Sequence, residues 1–499
     1  MDTLEQSNSL KFWPASHVIT EEAEFGLAQT AAGNRLAVLA QAEWPALRSF
    51  EGEASELGGR TLLLGHASER NAAALRTQLP WLRPQLLGLR TSAGLGDRLG
   101  LATPGHVRAM RAAGGPLTAI FAQQSIREMT RASRSPQQVM DDAMWGIFQE
   151  GWRAGFGADA DHLKTPADID ACLAAGYTFY TIDPGDHVND QAETASLADL
   201  RAAAEQLPRE VQPDASGLLD RSFEVAGQTL RLDELTLYRA AVKYGRAVAH
   251  VAAMYQHLCQ AGGDRPYELE VSVDETNLPT SHAEHLYFAS ELRRLGVEWV
   301  SLAPRFVGRF EKGAEYISPE GQLGETSAFE ASFRLHAHIA RQFGPYKLSL
   351  HTGSDKFSIY AIAARETQGQ VHLKTAGTSY LEALRTMAAV SPALFLEIYA
   401  FARDRYEADR VSYHVSGRLE RAPLPEAVSQ ADLPGLLNQF DARQILHVTF
   451  GSVLTARGAD GLLRFYPRLM DILRNQPEQY AANLERHFLR HLAPFVTRG

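Results

Sequence analysis

Residues 155–188, GFGADADHLKTPADIDACLAAGYTFYTIDPGDHV, contain one complete unit of the fold. The stretch begins with a largely apolar run that ends at Asp161, which predicts a buried strand with polar residues at its end. Thr165 and Pro166 then predict the start of a helix, because Thr caps a helix and Pro fits its first turn. Gly176 predicts the end of that helix, and a second strand pattern follows it. The stretch therefore predicts a strand–helix–strand unit whose polar residues lie at the strand ends.

The same unit recurs along the chain from about residue 94 onward. Alternating strands and helices predict an α/β fold with a parallel sheet, and eight units are the number that closes a (β/α)8 TIM-type barrel. A doubly wound open sheet is the alternative. The predicted strands are Arg98–Ala102, Leu117–Gln123, Phe156–Asp161, Tyr177–Asp183, Tyr267–Asp274, Val297–Ala303, Tyr346–His351 and Val371–Thr375.

Three further regions accompany the barrel, which we place at residues 91–390. Short β-like runs and one helical pattern predict a small N-terminal α+β region at 1–90. Helical patterns after the fourth strand predict an insertion at 189–264, on the side of the barrel where a lid could form. Residues 391–499 predict a helical C-terminal extension that packs on the barrel or forms a subunit contact.

Composition excludes several classes of protein. Of the 499 residues, 45% are hydrophobic and 22% charged, as in ordinary globular proteins. The net charge of −10 argues against a nucleic-acid binder, and no apolar run is long enough to span a membrane. The two cysteines are far apart, which argues against a disulfide scaffold or a cysteine-ligated zinc site. The N-terminal residues do not resemble a signal peptide, so we expect a cytoplasmic enzyme, and a homo-oligomer stays open.

Alternation within the predicted strands places polar side chains inside the barrel. In the stretch 268–274 the apolar residues face the helices, whereas Glu270 and Asp274 face inward. His351 and Lys374 have the same inward phase on the last two strands. Barrel interiors are normally apolar, so this polarity is costly unless the groups are paired or bind a metal. Acidic and histidine ligands suit a divalent cation such as Mg, Mn, Zn, Fe or Ni, with a structural ion network as the alternative.

Longer blocks around these strand ends are distinctive. They are GLGDRLGLATPGHVRA (94–109), FAQQSIREMTR (121–131), GFGADADHLKT (155–165), YTFYTIDPGDHV (177–188), EVSVDET (270–276), SLAPRFVGRFEKG (301–313), YKLSLHTGSDK (346–356) and HLKTAGTSYLEALR (372–385). From about residue 90 onward the chain resembles the tagaturonate epimerase family. Members of that family interconvert tagaturonate and fructuronate, and related enzymes interconvert tagatose and fructose.

The resemblance implies a metal-dependent sugar-acid epimerase. By resemblance, His162, Glu311 and His351 hold a divalent metal whose identity stays open. Asp161 is then the proton acceptor and Glu270 the proton donor. The expected substrate is a small ketohexuronate or ketohexose.

Two details of this assignment depend on local geometry. His162 is out of phase with Asp161, so it reaches the metal only where the chain leaves strand geometry. The following Lys-Thr-Pro makes such a departure reasonable. Asp274 and Glu275 are the competing candidates for the roles given to Glu311 and Glu270.

The chemistry of these sugars constrains the mechanism. Tagatose and fructose differ at C4, one carbon beyond the position that a C2 ketone makes acidic. A retro-aldol route does not require an acidic proton on C4. The C3–C4 bond breaks to give an aldehyde and a metal-stabilised enediolate, the aldehyde rotates, and the enediolate adds to its other face. Carboxylates from the third and fifth strands can handle protons on the two faces. Redox chemistry at C4 is the rival route, but no nicotinamide-binding motif is visible.

An anionic substrate also needs a cation at the barrel mouth. Lys374 is our first candidate, with Lys356 and Arg305 next. A charge-assisted hydrogen bond of this kind contributes about 1.5–3 kcal/mol. In the alternative interpretation, Lys374 only neutralises the carboxylates of the barrel. Two other functions stay open: a class II-type metal-dependent sugar aldolase, and a non-catalytic sugar-acid-binding protein.

Overall fold

Eight parallel strands form a closed barrel in the computed structural model, which describes residues 11–30 and 33–496. Neighbouring strands pair in chain order, and the last pairs with the first through Lys374 and Gly94. The predicted (β/α)8 barrel is confirmed. The barrel strands are Ser92–Gly94, Thr118–Ser125, Gly157–Leu163, Phe179–Ile182, Glu268–Val273, Ser301–Pro304, Lys347–Leu350 and Val371–Lys374.

Helices surround the barrel and begin where the sequence places capping residues. The side chains of Ser135, Thr165 and Ser281 each accept a hydrogen bond from the third backbone N–H of their helix, in reciprocal capping boxes. The outer helices are Thr103–Ala113, Pro136–Glu150, Pro166–Ala174, Glu234–Gly262, His282–Arg294, Ser327–Gln342, Phe357–Thr367 and Thr378–Val390, with a short helix at Ile126–Arg131.

The prediction of the first strand was wrong. It placed the strand at Arg98–Ala102, but the barrel uses Ser92–Gly94. The carboxylate of Asp97 accepts hydrogen bonds from the backbone N–H groups of Leu99, Gly100 and Ala102. These bonds wrap the chain into a turn and remove donors that a strand would need.

An antiparallel sheet of six strands precedes the barrel, followed by the helix Glu69–Gln78. Its apolar side chains, such as Phe25 and Val38, are fully buried. Asn34 donates a hydrogen bond to Gln149 of an outer barrel helix over 3.1 Å. The strands are Lys11–Phe12, Val18–Ile19, Ala23–Thr30, Gly33–Ala40, Glu53–Leu57 and Arg60–His66.

The segment after the fourth barrel strand contains the helix Leu197–Ala204, a hairpin and the fourth outer helix. The helix Glu234–Gly262 contacts the outer helices Pro166–Ala174 and His282–Arg294, so it fills the fourth position around the barrel. The sequence did not predict the hairpin Arg221–Val225 and Gln228–Leu232, which pairs antiparallel. Its Val225 packs on the helix Ser327–Gln342, outside the barrel.

Helices of the C-terminal residues cover the outside of the barrel. The last helix packs on Thr103–Ala113 and Thr378–Val390. This contact is close, because a Cβ atom added at Gly105 would lie 2.5 Å from Leu484. Within the described residues, no helix combines the length and the apolar character needed to cross a membrane. The helices of this region are Pro392–Asp409, Phe440–Val448, Phe450–Thr455, Tyr466–Asn475 and Pro477–Leu492.

Candidate active site

Lys374 joins three buried carboxylates at the carboxyl end of the barrel. Its Nζ lies 2.8 Å from Asp159 Oδ2, 2.7 Å from Asp161 Oδ1 and 2.8 Å from Glu270 Oε1. It also donates to Thr181 Oγ1 over 2.7 Å. The inward phase that the sequence predicted for these residues brings the third, fifth and eighth strands together around one ammonium group.

This ammonium group keeps two of the three carboxylates ionised. Burial would raise the pKa of Asp161 and of Glu270, but Lys374 and the neighbouring histidines hold both pKa values below their ordinary range. Burial has the larger effect on Asp159 and raises its pKa to about 6. Asp161 and Glu270 are therefore ionised at neutral pH.

Two histidines face each other beside these carboxylates. His162 Nε2 lies 3.2 Å from His351 Nδ1. The other ring nitrogen of His162 lies 3.1 Å from Asp183 Oδ2, and that of His351 lies 2.6 Å from Glu270 Oε1. Asp274 Oδ1 lies 3.2 Å from His351 Nδ1. Each imidazole is thus oriented by a carboxylate, as is usual for histidines that bind metals.

His162 reaches this position because the chain leaves strand geometry, as the sequence predicted. Its φ of 52° lies in the left-handed region. The register along the next strand shifts at the same place, since Tyr180 pairs with Ala160 but Ile182 pairs with Leu163. The irregularity turns the His162 ring toward the same side as Asp161.

The nitrogen and oxygen atoms at this point fit a divalent cation. One donor atom from each of Asp161, His162 and His351 lies within 4.8 Å of the others. Burial would lower the pKa values of both histidines, but the carboxylates raise them to about 10 and about 9. Two N–H groups cannot point at each other across 3.2 Å, whereas a cation satisfies both nitrogens. The site therefore favours positive charge and offers lone pairs to bind it.

Glu311, the third ligand implied by the resemblance, is not among these atoms. Its Oε2 accepts hydrogen bonds from the backbone N–H and hydroxyl of Ser416 over 2.9 and 2.8 Å. Gln444 Nε2 donates to the same oxygen over 3.0 Å. Glu311 lines the same cavity as His351, and its role as a ligand stays a prediction.

Two of the three predicted carboxylate-binding cations are already paired. The three N–H groups of Lys374 have four oxygens within 2.8 Å. Lys356 Nζ donates to the backbone carbonyl groups of Glu311, Ala314 and Ser354. Arg305 donates to the backbone carbonyl of Asp274 over 3.2 Å, but its buried Nε has no partner among the described residues. This geometry favours the alternative in which Lys374 neutralises the barrel carboxylates; its contact with substrate stays a prediction.

A cavity of about 230 Å³ opens beside His351. Sequence analysis missed several of its residues. Lys312 lies in the loop after the sixth strand, and Tyr413 comes from the C-terminal residues, where no local pattern marks it. The lining side chains relevant to the chemistry are Arg127, Asp274, Glu275, Arg305, Lys312, His351 and Tyr413.

Fold and site together define an enzyme of the TIM-barrel class, with buried carboxylates and a facing histidine pair at the carboxyl end of the barrel. Comparison with known proteins then identifies the family. The family model described as tagaturonate epimerase matches residues 13–495. The chain therefore belongs to the tagaturonate epimerase family, a family of carbohydrate epimerases.

Individual relatives cover nearly the whole chain. A tagaturonate/fructuronate epimerase from Thermotoga maritima is 42% identical over 468 residues, which are 94% of this chain and 93% of that protein. Crystal structures of the fructuronate-tagaturonate epimerase UxaE from Cohnella laeviribosi, native and with glycerol, are 35% identical with a TM-score of 0.91. Each comparison covers 98% of this chain and 97% of that one.

Proposed function

We propose that this protein interconverts D-tagaturonate and D-fructuronate by inverting C4. The observation that carries the proposal is the match along nearly the whole chain to epimerases named for these sugars. The site adds chemical support. Asp161 and Glu270 come from different strands and both contact Lys374. Neutral tagatose and fructose would be weaker substrates of the same site.

The position of C4 decides the type of reaction. The C2 ketone acidifies the proton on C3, but it does not acidify the proton on C4. Cleavage of C3–C4 needs only removal of the proton from the C4 hydroxyl. The resulting aldehyde then rotates, and the three-carbon nucleophile adds to its other face. The C4–H bond stays intact throughout, and no redox cofactor is needed.

Asp161 and Glu270 would handle the hydroxyl proton on the two faces of the aldehyde. Asp161 accepts a hydrogen bond from Gln123 over 3.1 Å, and Glu270 accepts one from Ser301 over 2.6 Å. These bonds fix the carboxylate planes. Positioned acids and bases of this kind contribute about 10²–10⁴-fold to a rate.

A divalent cation fits the neighbouring ligand set of His162 and His351, with Asp161 or Glu311 as the third ligand. When bound, the ion supplies Lewis-acid stabilisation for negative charge on the substrate oxygens. Asp183 and Glu270 hold the two imidazole rings in place. Lys374 balances the charge of the carboxylates below them.

Product analysis by NMR tests the proposal directly. Purified protein is incubated with tagaturonate, fructuronate, tagatose and fructose separately, in D2O, with Mn, Zn, Ni, Fe or Mg supplied in turn. We expect interconversion of the two uronates with protium retained at C4. Accumulation of three-carbon fragments would instead identify an aldolase. Uronates that stay unchanged with every metal would contradict the proposal.

The rival redox route gives a different isotope effect. A substrate deuterated at C4 should react at nearly the rate of the protiated substrate in a retro-aldol reaction, because the C4–H bond does not break. Hydride transfer from C4 would slow the deuterated substrate severalfold. Deuterium from solvent at C4 would indicate direct deprotonation and would contradict both routes.

A further inference from the structure

Lys312 differs from the other lysines around the active site in its partners. Lys374 has three carboxylates, and Lys356 has three backbone carbonyl groups. Lys312 Nζ donates to Thr352 Oγ1 over 3.1 Å. Within residues 11–30 and 33–496, no carboxylate oxygen forms an ion pair with it inside 4.0 Å. Its ammonium group therefore has N–H bonds to spare.

The Lys312 side chain lies in the active site. Lys312 lines the cavity that contains His351, and also the narrow pocket that contains Asp161 and His162. Lys312 is half-buried at this position. A partly desolvated ammonium group without a close anion is costly in the free protein. An anionic substrate group would remove that cost.

Thr352 holds Lys312 at an energetic cost of its own. Its φ of 48° lies in the left-handed region, which β-branched residues rarely adopt. Such a backbone persists only where the surrounding structure enforces it, and it is concentrated at binding and catalytic sites. Here it directs the Thr352 hydroxyl to Lys312, one residue after the metal-ligand candidate His351.

Arg127 and Arg305 are the competitors in this cavity. Arg305 does not line the pocket that contains Asp161, and the guanidinium group of Arg127 is already used. Arg127 lines both the cavity and the pocket. Its two terminal nitrogens donate to the carboxylate of Glu275 over 3.2 and 2.6 Å. A substrate carboxylate would have to displace Glu275 to pair with it. Lys312 needs no such exchange.

We propose that Lys312, oriented by Thr352, binds the carboxylate of the uronate and thereby selects uronates over neutral ketohexoses. This inference rests on the proposed function. The carboxylate carbon of the substrate is separated from C4 by one carbon, so its partner must lie close to the residues that act on C4. Lys312 meets this requirement because it shares a pocket with Asp161.

Binding measurements on Lys312→Met test the inference. We expect its Kd and KM for tagaturonate to rise about 10–150-fold, the loss of one charge-assisted hydrogen bond. Its Kd for tagatose should change much less, and Lys312→Arg should recover part of the uronate affinity. Arg334→Met is the matched control, because Arg334 is an exposed cation on the helix that follows the same loop and lines neither the cavity nor the pocket. It should change either Kd by less than about twofold.

The outcomes separate this inference from the proposed function. Unchanged tagaturonate affinity in Lys312→Met, or equal losses for tagaturonate and tagatose, would overturn the role of Lys312 even if the wild type is an epimerase. Calorimetric binding does not require turnover. A selective loss of uronate affinity would therefore support Lys312 even if no epimerisation is observed. Thermal melting and the Lys312→Arg variant establish that lost affinity is not lost folding.

Discussion

Two clusters in this protein have the same set of residues, one aspartate and two histidines. Asp161, His162 and His351 form one cluster at the mouth of the barrel. The other consists of Asp355, His487 and His491, between the loop after the seventh strand and the last helix. In both, one donor atom from each residue lies within 4.8 Å of the others. By distance alone, each is a candidate metal site.

Hydrogen bonds separate the two clusters. Arg443 donates to Asp355 Oδ2 over 2.7 Å, so one carboxylate oxygen is already paired with a cation. His491 Nε2 accepts the backbone N–H of Asp355 over 2.9 Å, which uses the lone pair that a metal would need. At the mouth, by contrast, the described residues place no backbone N–H on the facing nitrogens of His162 and His351, which line a narrow pocket. The Asp274 carboxylate and the Ser272 hydroxyl lie 3.2 and 3.3 Å from His351 Nδ1.

Free lone pairs and uncompensated negative charge therefore distinguish a metal site from a structural network. The second cluster has its own use. It holds the last helix against the loop that begins just after His351, because His487 and His491 both contact Asp355. The last helix thus supports the position of a metal-ligand candidate from outside the cavity.

The largest expected effect is loss of metal and activity together at the mouth. His351→Ala and His162→Ala each remove one imidazole ligand. Even changes around a ligand cost about 10–100-fold in metal affinity, so a lost ligand should cost more. Metal content by mass spectrometry and epimerase activity should both fall. His487→Ala is the matched control and should keep the metal stoichiometry. Full occupancy in the His351 and His162 variants would remove them as ligands.

The next effect is loss of turnover with the metal retained. Asp161→Asn and Glu270→Gln preserve shape but cannot take up a proton as a carboxylate does. We expect kcat to fall by about 10²–10⁴-fold. Glu270→Gln should keep the metal content of the wild type, and Asp161→Asn should keep it where Glu311 is the third ligand. Metal lost from Asp161→Asn alone would make Asp161 that ligand. Single-turnover kinetics on metal-loaded protein measure the fall in kcat. A variant with nearly normal kcat would show that its residue only balances the charge of Lys374.

The contrast between the clusters also shows what the sequence could predict. The inward phase of Asp161, Glu270, His351 and Lys374 follows from the two-residue period of a strand, a local property. The residues that already pair with Asp355, and so keep it from binding a metal, come from helices far along the chain. No local pattern in the sequence brings them together. Tyr413 was missed for the same reason, whereas Lys312 lies in a loop, where the two-residue period of a strand does not apply. The wrong prediction of the first strand has a local cause. The apolar residues at 98–102 predicted a strand, but hydrogen bonds to the Asp97 carboxylate form a turn there.

Removing Arg443 should affect stability rather than catalysis. Arg443→Met leaves the buried carboxylate of Asp355 without its cation, which typically costs about 3–5 kcal/mol. We expect a lower midpoint of urea denaturation with an unchanged metal stoichiometry. The double variant Arg443→Met, Asp355→Asn should recover part of the loss, because the unpaired charge is gone. Metal lost in step with Arg443 would mean that the second cluster binds the ion.

The smallest expected effect is a difference in the pH dependence of stability. Burial would raise the pKa of Asp355, but Arg443 and His491 hold it well below its ordinary value. In the unfolded chain the pKa of an aspartate is about 3.9. The ionised carboxylate therefore stabilises the fold fully above about pH 4, and this contribution is lost as the pH falls toward the folded pKa.

Asp355→Asn has no proton to take up at this position. The difference in free energy of unfolding between wild type and Asp355→Asn should therefore be constant between about pH 5 and 7 and shrink below about pH 4. The decrease should be at most about 1.4 kcal/mol for each pH unit. Urea denaturation of both proteins at a series of pH values measures it. A difference that stays constant down to about pH 3 would mean that Asp355 titrates in the fold as it does in the unfolded chain. Its pairing with Arg443 would then provide no electrostatic stabilisation, and the second cluster would hold the last helix by packing alone.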